Sequence, residues 1–119
     1  MNTTKKIGDC GEKIAEDFLK KLGYKIIEKN WKYSRLGEID IIAKDKNELV
    51  FVEVKYRRSK TFGSAIEALS KAKFEKVYKS ALAYLQQTDI KFKTFRIDFV
   101  SIDECSEKQD IQHFKNVLL

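Results

Sequence analysis

The chain has no proline, one histidine, one tryptophan and two cysteines in 119 residues, and each scarcity excludes something. With His113 alone there is no His-pair zinc site and little basis for a histidine-centred triad. Cys10 and Cys105 stand at opposite ends of the sequence in no metal-ligand spacing, so each reads as an isolated buried thiol. The five glycines are scattered and make no phosphate-cradling loop. No apolar run approaches the roughly 20 residues of a membrane span. The N-terminal "MNTTKKIGDCGEK" lacks the apolar stretch of a secretion signal, which points to the cytoplasm. No repeat, low-complexity segment or linker divides the sequence, and residues 1–119 are read as one domain.

Charge is plentiful but uneven. The net +6 is concentrated in residues 55–79, which hold eight basic and two acidic side chains, while the segments on either side nearly balance. A concentrated basic stretch suggests an anionic partner, nucleic acid being the commonest. A solvated lysine-rich helix face explains the same charge, and charge alone does not separate the two.

Periodicity predicts a helix over residues 5–22, with Ile7, Gly11, Ile14, Ala15, Phe18 and Leu22 on one face and Gly23 as the stop. Glu12 falls at the margin of that face, with Asp9 and Glu16 further round. "YKIIEKNWKY" reads as a strand, and residues 37–57 read as a hairpin around Lys46-Asn47, where Asn47 tolerates a left-handed backbone. A long helix is predicted from Ser64, capped through Ser64 and Glu67, with Ile66, Leu69, Val77, Ala81, Tyr84 and Leu85 inward. "TFRIDFVSI" alternates as a strand, and the tail reads as a short edge strand with an irregular end. The order helix, strand, hairpin, helix, strand predicts an α/β fold, a central mixed sheet flanked by helices.

The hairpin carries the chemistry. Alternation puts Ile39, Ile41 and Ala43 on one face with Val50, Val52 and Val54. The opposite face holds Glu38, Asp40 and Ile42 with Phe51, Glu53 and Lys55, and a two-residue turn sets Asp40 opposite Glu53 and Glu38 opposite Lys55. Carboxylates paired across strands repel and weaken a sheet. They make sense around a hard cation such as Mg²⁺ or Mn²⁺, which needs only one or two protein carboxylates. A lysine on the same face can position water or neutralise developing phosphate charge. A polar sheet end, with Glu38 paired to Lys55 and the acids facing solvent, is the alternative. The spacing of Asp40, Glu53 and Lys55 across a hairpin favours the metal reading.

The array E-x-D-x₁₂-E-V-K, preceded by "GEKIAEDFLKKLGY", resembles the PD-(D/E)XK nuclease superfamily. With "GEIDIIAKD", "LVFVEVKYR", "FGSAIEALSKAKFEKVYKSALAYL", "FRIDFVSI" and "HFKN" in order, the whole chain is similar to the YraN family. The resemblance implies a restriction endonuclease-like core in which Asp40 and Glu53 hold Mg²⁺ or Mn²⁺ and Lys55 is the catalytic lysine. It implies Glu12 as a further metal ligand and leaves Glu38 as an outer ligand or a partner of Lys55. The superfamily's proline before the aspartate is replaced by Ile39.

Metal-dependent hydrolysis of phosphodiester bonds is therefore expected, with DNA ahead of RNA, and with Arg57, Arg58, Lys71, Lys73, Lys76 and Lys79 holding the backbone. A binding module without turnover and a protein-interaction domain remain as alternatives. A symmetric substrate would call for a homodimer. Lys73 lies inside the apolar arc of its helix, so it either snorkels to water or contacts phosphate at the cleft edge. Trp31 and Tyr33 could stack bases, but their place in a strand favours packing. Asp98 is expected to be structural, and Arg35 and Lys93, outside the basic stretch, are expected to contribute less to binding.

Overall fold

The computed structural model describes residues 3–35, 37–58, 65–105 and 108–118. The elements are α1 (Thr3–Lys21), β1 (Lys25–Ser34), β2 (Gly37–Asp45), β3 (Glu48–Arg57), a 3₁₀ turn (Ile66–Ala68), α2 (Lys71–Gln87), β4 (Thr94–Cys105) and β5 (Lys108–Phe114). The five strands form one sheet in sequence order. β3 and β4 are parallel and every other neighbour pair is antiparallel, so the α/β fold with a mixed sheet is as expected, down to the short edge strand β5.

The two helices cover opposite faces. Ala15 and Leu19 of α1 pack with Ile41, Ala43, Val50, Val52, Val100 and Ile102. Phe74, Val77, Ala81 and Tyr84 of α2 pack with Ile42, Leu49, Phe51, Ile97 and Phe99. β3 is central because both its faces are apolar through Val52, as a strand sandwiched between helices requires. No helix among the described residues is long and apolar enough to cross a membrane.

Several local expectations change. Leu19 is fully buried, whereas Leu22 is 51% exposed. The helix ends before Leu22: Gly23 takes φ +96°, its N–H donates to the Lys20 carbonyl, and Tyr24 N–H donates to that of Leu19. Tyr24 is thereby swung into the core in place of Leu22. Glu16 is also buried, because Lys20 and Lys29 grip its two oxygens at 2.9 and 3.0 Å. Those two hydrogen-bonded ammonium groups pull its carboxyl down to about 2 against the opposing effect of burial. Cys10 is exposed, not buried, lying just before the buried Gly11. The side chains of Ile7, Asp9 and Cys105 lie outside the described residues.

At the hairpin, Lys46 and not Asn47 takes the left-handed backbone, with φ 57°. The long helix starts later than its periodicity suggests. Ser64 lies outside the described residues, and Leu69 turns extended to bury its side chain. Ser70 caps α2 by accepting a hydrogen bond from Lys73 N–H at 3.1 Å. Lys73 therefore sits in the first turn of α2, above the end of the sheet.

Asp98 is structural, as expected. It is fully buried, accepts hydrogen bonds from Arg96 at 2.9 Å and Asn116 N–H at 3.0 Å, and lies 2.7 Å from His113 Nε2. Burial alone would raise its carboxyl, but these partners hold it below the ordinary value. The network ties β5 and the chain following it to β4.

Candidate metal centre and nucleic-acid interface

The hairpin register is as alternation predicts where the ladder runs: Ile42 faces Phe51 and Ala43 faces Val50. The ladder stops at Ile41 and Val52, one step short of the acidic pair. There the Asp40 carboxylate accepts a hydrogen bond from Val54 N–H at 2.8 Å, so a side chain meets a backbone donor at the edge of the ladder. Strict alternation fails at the same point. Ile39 packs with Ile42 and Phe51 under α2, not with Ile41 and Ala43 under α1, because β2 is there leaving β3 while still paired to β1.

The opening is a cleft of about 280 Å³ lined by Asp40, Glu53, Lys55, Lys73 and Glu12, with Ser70 and Phe99 among its walls. Four elements supply its charged groups: β2, β3, α1 and α2. Gly11 makes the α1 contribution feasible, since a β-carbon there would come within 2.6 Å of Tyr56 Cβ. The close approach of α1 to β3 carries the adjacent Glu12 to the rim.

Glu53 is only 7% exposed. Burial and the neighbouring Asp40 charge push its carboxyl up to about 8, a rise tempered by Lys73, whose Nζ lies 3.3 Å from Glu53 Oε2. Asp40 is also raised, chiefly by burial, although the Val54 N–H favours its ionised form. Lys73 is correspondingly raised by Glu53. Two carboxyls in one desolvated site thus resist ionising together, and Lys73 compensates for one charge.

Of the other expected site residues, Lys55 lines the cleft and is exposed. Glu38 does not line it. Its strand partner is Lys32, not Lys55, because the β2–β3 ladder ends before reaching it. Arg57 is held by Asp103 in a two-pronged ion pair at 2.6 and 3.0 Å, which takes its guanidinium away from solvent. Arg58, Lys71, Lys76 and Lys79 are exposed; of these, Lys76 lines a neighbouring cleft.

Among the described residues no three histidine, cysteine, aspartate or glutamate side chains converge as a ready-made metal cage. Two hard carboxylates are nevertheless the donor set Mg²⁺ accepts when water and phosphate complete its shell. Their mutual repulsion is what a cation relieves, so the residues fit Mg²⁺ or Mn²⁺.

The end of β1 is more exposed than its place in a sheet suggests. Trp31 packs against Tyr84 as foreseen, but Tyr33 is 58% exposed, and Arg35 stands in the cleft that Lys76 lines. The available signal was the interleaving of aromatic and basic residues in "WKYSR".

Relatives match most of this chain. A UPF0102 protein of Clostridium botulinum is 50% identical over 99 residues, covering 82% of this chain and 80% of its own. One from Caldanaerobacter subterraneus subsp. tengcongensis is 42% identical, covering 96% and 93%. One from Dichelobacter nodosus is 43% identical, covering 98% and 91%. A family model described as "Uncharacterised protein family UPF0102" matches residues 11–102, and the chain belongs to that family, which corresponds to YraN.

Proposed function

We propose that the protein is a metal-dependent nuclease with a restriction endonuclease-like core, hydrolysing phosphodiester bonds in nucleic acid, with DNA ahead of RNA. The observation that carries this reading is the desolvated pair Asp40 and Glu53 at a sheet opening, flanked by Lys55 and Lys73. Asp40 and Glu53 would hold Mg²⁺ or Mn²⁺, with Glu12 lining the same cleft. Such an ion supplies charge neutralisation at the scissile phosphate and acidity to water.

The chain's own residues do the rest. Lys55, exposed on the cleft wall, orients the attacking water or stabilises charge on the phosphate. Lys73 keeps Glu53 in place and reaches a phosphate at the cleft edge. Val54 N–H fixes the Asp40 carboxylate, so its orientation is set before substrate arrives. Lys71, Lys76, Lys79 and Arg58 offer exposed charge to the backbone.

The Lys73–Glu53 ion pair also favours a second reading, a binding module without turnover, since the lysine already occupies the place of a cation. A panel of labelled duplex, branched and single-stranded DNA and RNA, incubated with Mg²⁺, Mn²⁺ or EDTA, separates the two. Metal-dependent cutting lost in Asp40→Ala supports the nuclease; binding without cutting supports the module.

A further inference from the structure

A second cleft, of about 540 Å³, opens beside the first, and Lys73 lines both. Its other walls carry Lys32, Arg35 and Lys76, none ion-paired among the described residues, against the carboxylate of Glu38. Tyr33 also lines it. The Tyr33 ring stacks on Trp31 at 6.3 Å and 13°, and Trp31 meets the buried Tyr84 edge-on at 5.2 Å. An aromatic column therefore rises from the core and ends in a ring that is 58% exposed. The column orders that ring in advance, so little conformational entropy remains to be lost when a flat partner covers it.

We infer that this cleft receives an unpaired nucleic-acid strand, with a base stacked on Tyr33 and phosphates against Lys32, Arg35 and Lys76. An aromatic platform beside cations suits single strands, because every base has a π-face and stacking tolerates any sequence. Base faces within a duplex are already covered by their neighbours and gain nothing from Tyr33. Because Lys73 joins the two clefts, a strand lying here leads directly to Asp40 and Glu53. The substrate is then a single strand, or a duplex with an unpaired segment beside the cut. This last step rests on the nuclease reading of the carboxylate cleft; the binding of the strand is measured separately.

The test uses the full chain in EDTA with a fluorescein-labelled oligothymidylate, read by anisotropy and by the emission of Trp31, the only tryptophan. The strand is expected to bind more tightly than a duplex of equal length and to change the Trp31 emission. Tyr33→Ala should weaken binding by roughly 5- to 150-fold, while Tyr33→Phe stays near wild type. An abasic oligomer should bind the wild type as weakly as oligothymidylate binds Tyr33→Ala. Three phosphate contacts on a single strand give a log–log salt slope of about −2, which the Arg35→Ala/Lys76→Ala double variant should flatten by more than one unit. Equal binding by wild type and Tyr33→Ala, a preference for duplex, or equal displacement by polyglutamate would overturn the inference. Because this assay contains no metal, its result is independent of cleavage: failure to cut with Mg²⁺ sinks the nuclease reading alone.

Discussion

Replacing Asp40 separates the two jobs its carboxylate performs. It accepts the Val54 N–H at 2.8 Å and it repels Glu53 inside a desolvated cleft. Asp40→Asn keeps an oxygen acceptor and removes the charge; Asp40→Ala removes both. Without metal, Asp40→Asn should melt at or above the wild type. Asp40→Ala should fall below Asp40→Asn by about 1–2 kcal/mol, the cost of an unsatisfied, partly buried N–H. For a chain of 119 residues that is a gap of about 4–8 °C in Tm. Adding Mg²⁺ at about ten times its Kd should raise the stability of the wild type by about 1.4 kcal/mol through mass action, and that gain should vanish in Asp40→Asn. Differential scanning fluorimetry or calorimetry in EDTA and in Mg²⁺ reads all of these values. An Asp40→Asn protein that is clearly less stable than wild type in EDTA, or that keeps the full Mg²⁺ gain, would refute the reasoning.

The raised carboxyl of Glu53 makes a pH prediction. Its folded pKa of about 8 exceeds the ordinary 4.5, so its contribution to stability is complete below about 4.5 and is lost as pH rises through 8. Asp40→Asn should flatten that decline, as urea melts between pH 5 and 9 will show. Metal binding near pH 7 should release close to one proton, visible by calorimetry in buffers of different ionisation enthalpy. Lys55→Ala should abolish metal-dependent cleavage yet leave substrate affinity within a few-fold; unchanged cleavage would remove Lys55 from the mechanism. Ser70→Ala should cost about 1 kcal/mol by uncapping α2, and should weaken substrate binding as well because the cap holds the backbone of Lys73.

Alternation made the hairpin legible, because side-chain parity follows directly from a regular ladder, and the pairing of Ile42 with Phe51 came out as expected. It could not foresee where the ladder ends. Ile39 changes sides and Glu38 loses Lys55 because the strands part just beyond Ile41 and Val52, a tertiary event with no local signature. Asp40, Glu53, Lys55 and Glu12 nevertheless share one cleft, at the opening where β2 parts from β3 and α1 approaches β3 closely at Gly11. Helix ends were harder to read. Ser70 wins over an earlier start because Leu69 must turn extended to be buried, and periodicity does not register that break. Arg57 counts among the backbone-holding cations in the sequence reading because Asp103, which pairs with it, lies 46 residues away. Tyr33 packs on Trp31 as its place in a strand suggests, yet stays 58% exposed because it lies just before the end of β1.

If the protein cuts nucleic acid as proposed, Asp40 and Glu53 together hold the cation that cutting requires. Single-turnover cleavage of the best substrate from the nucleic-acid panel, measured at rising Mg²⁺ for wild type, Asp40→Asn and Glu53→Gln, tests it most directly. The wild type should show a saturable Mg²⁺ dependence, and neither variant should cleave above the EDTA background. Cleavage by either variant with the wild-type rate and Mg²⁺ dependence, or no metal-dependent cleavage of any substrate by the wild type, would contradict it.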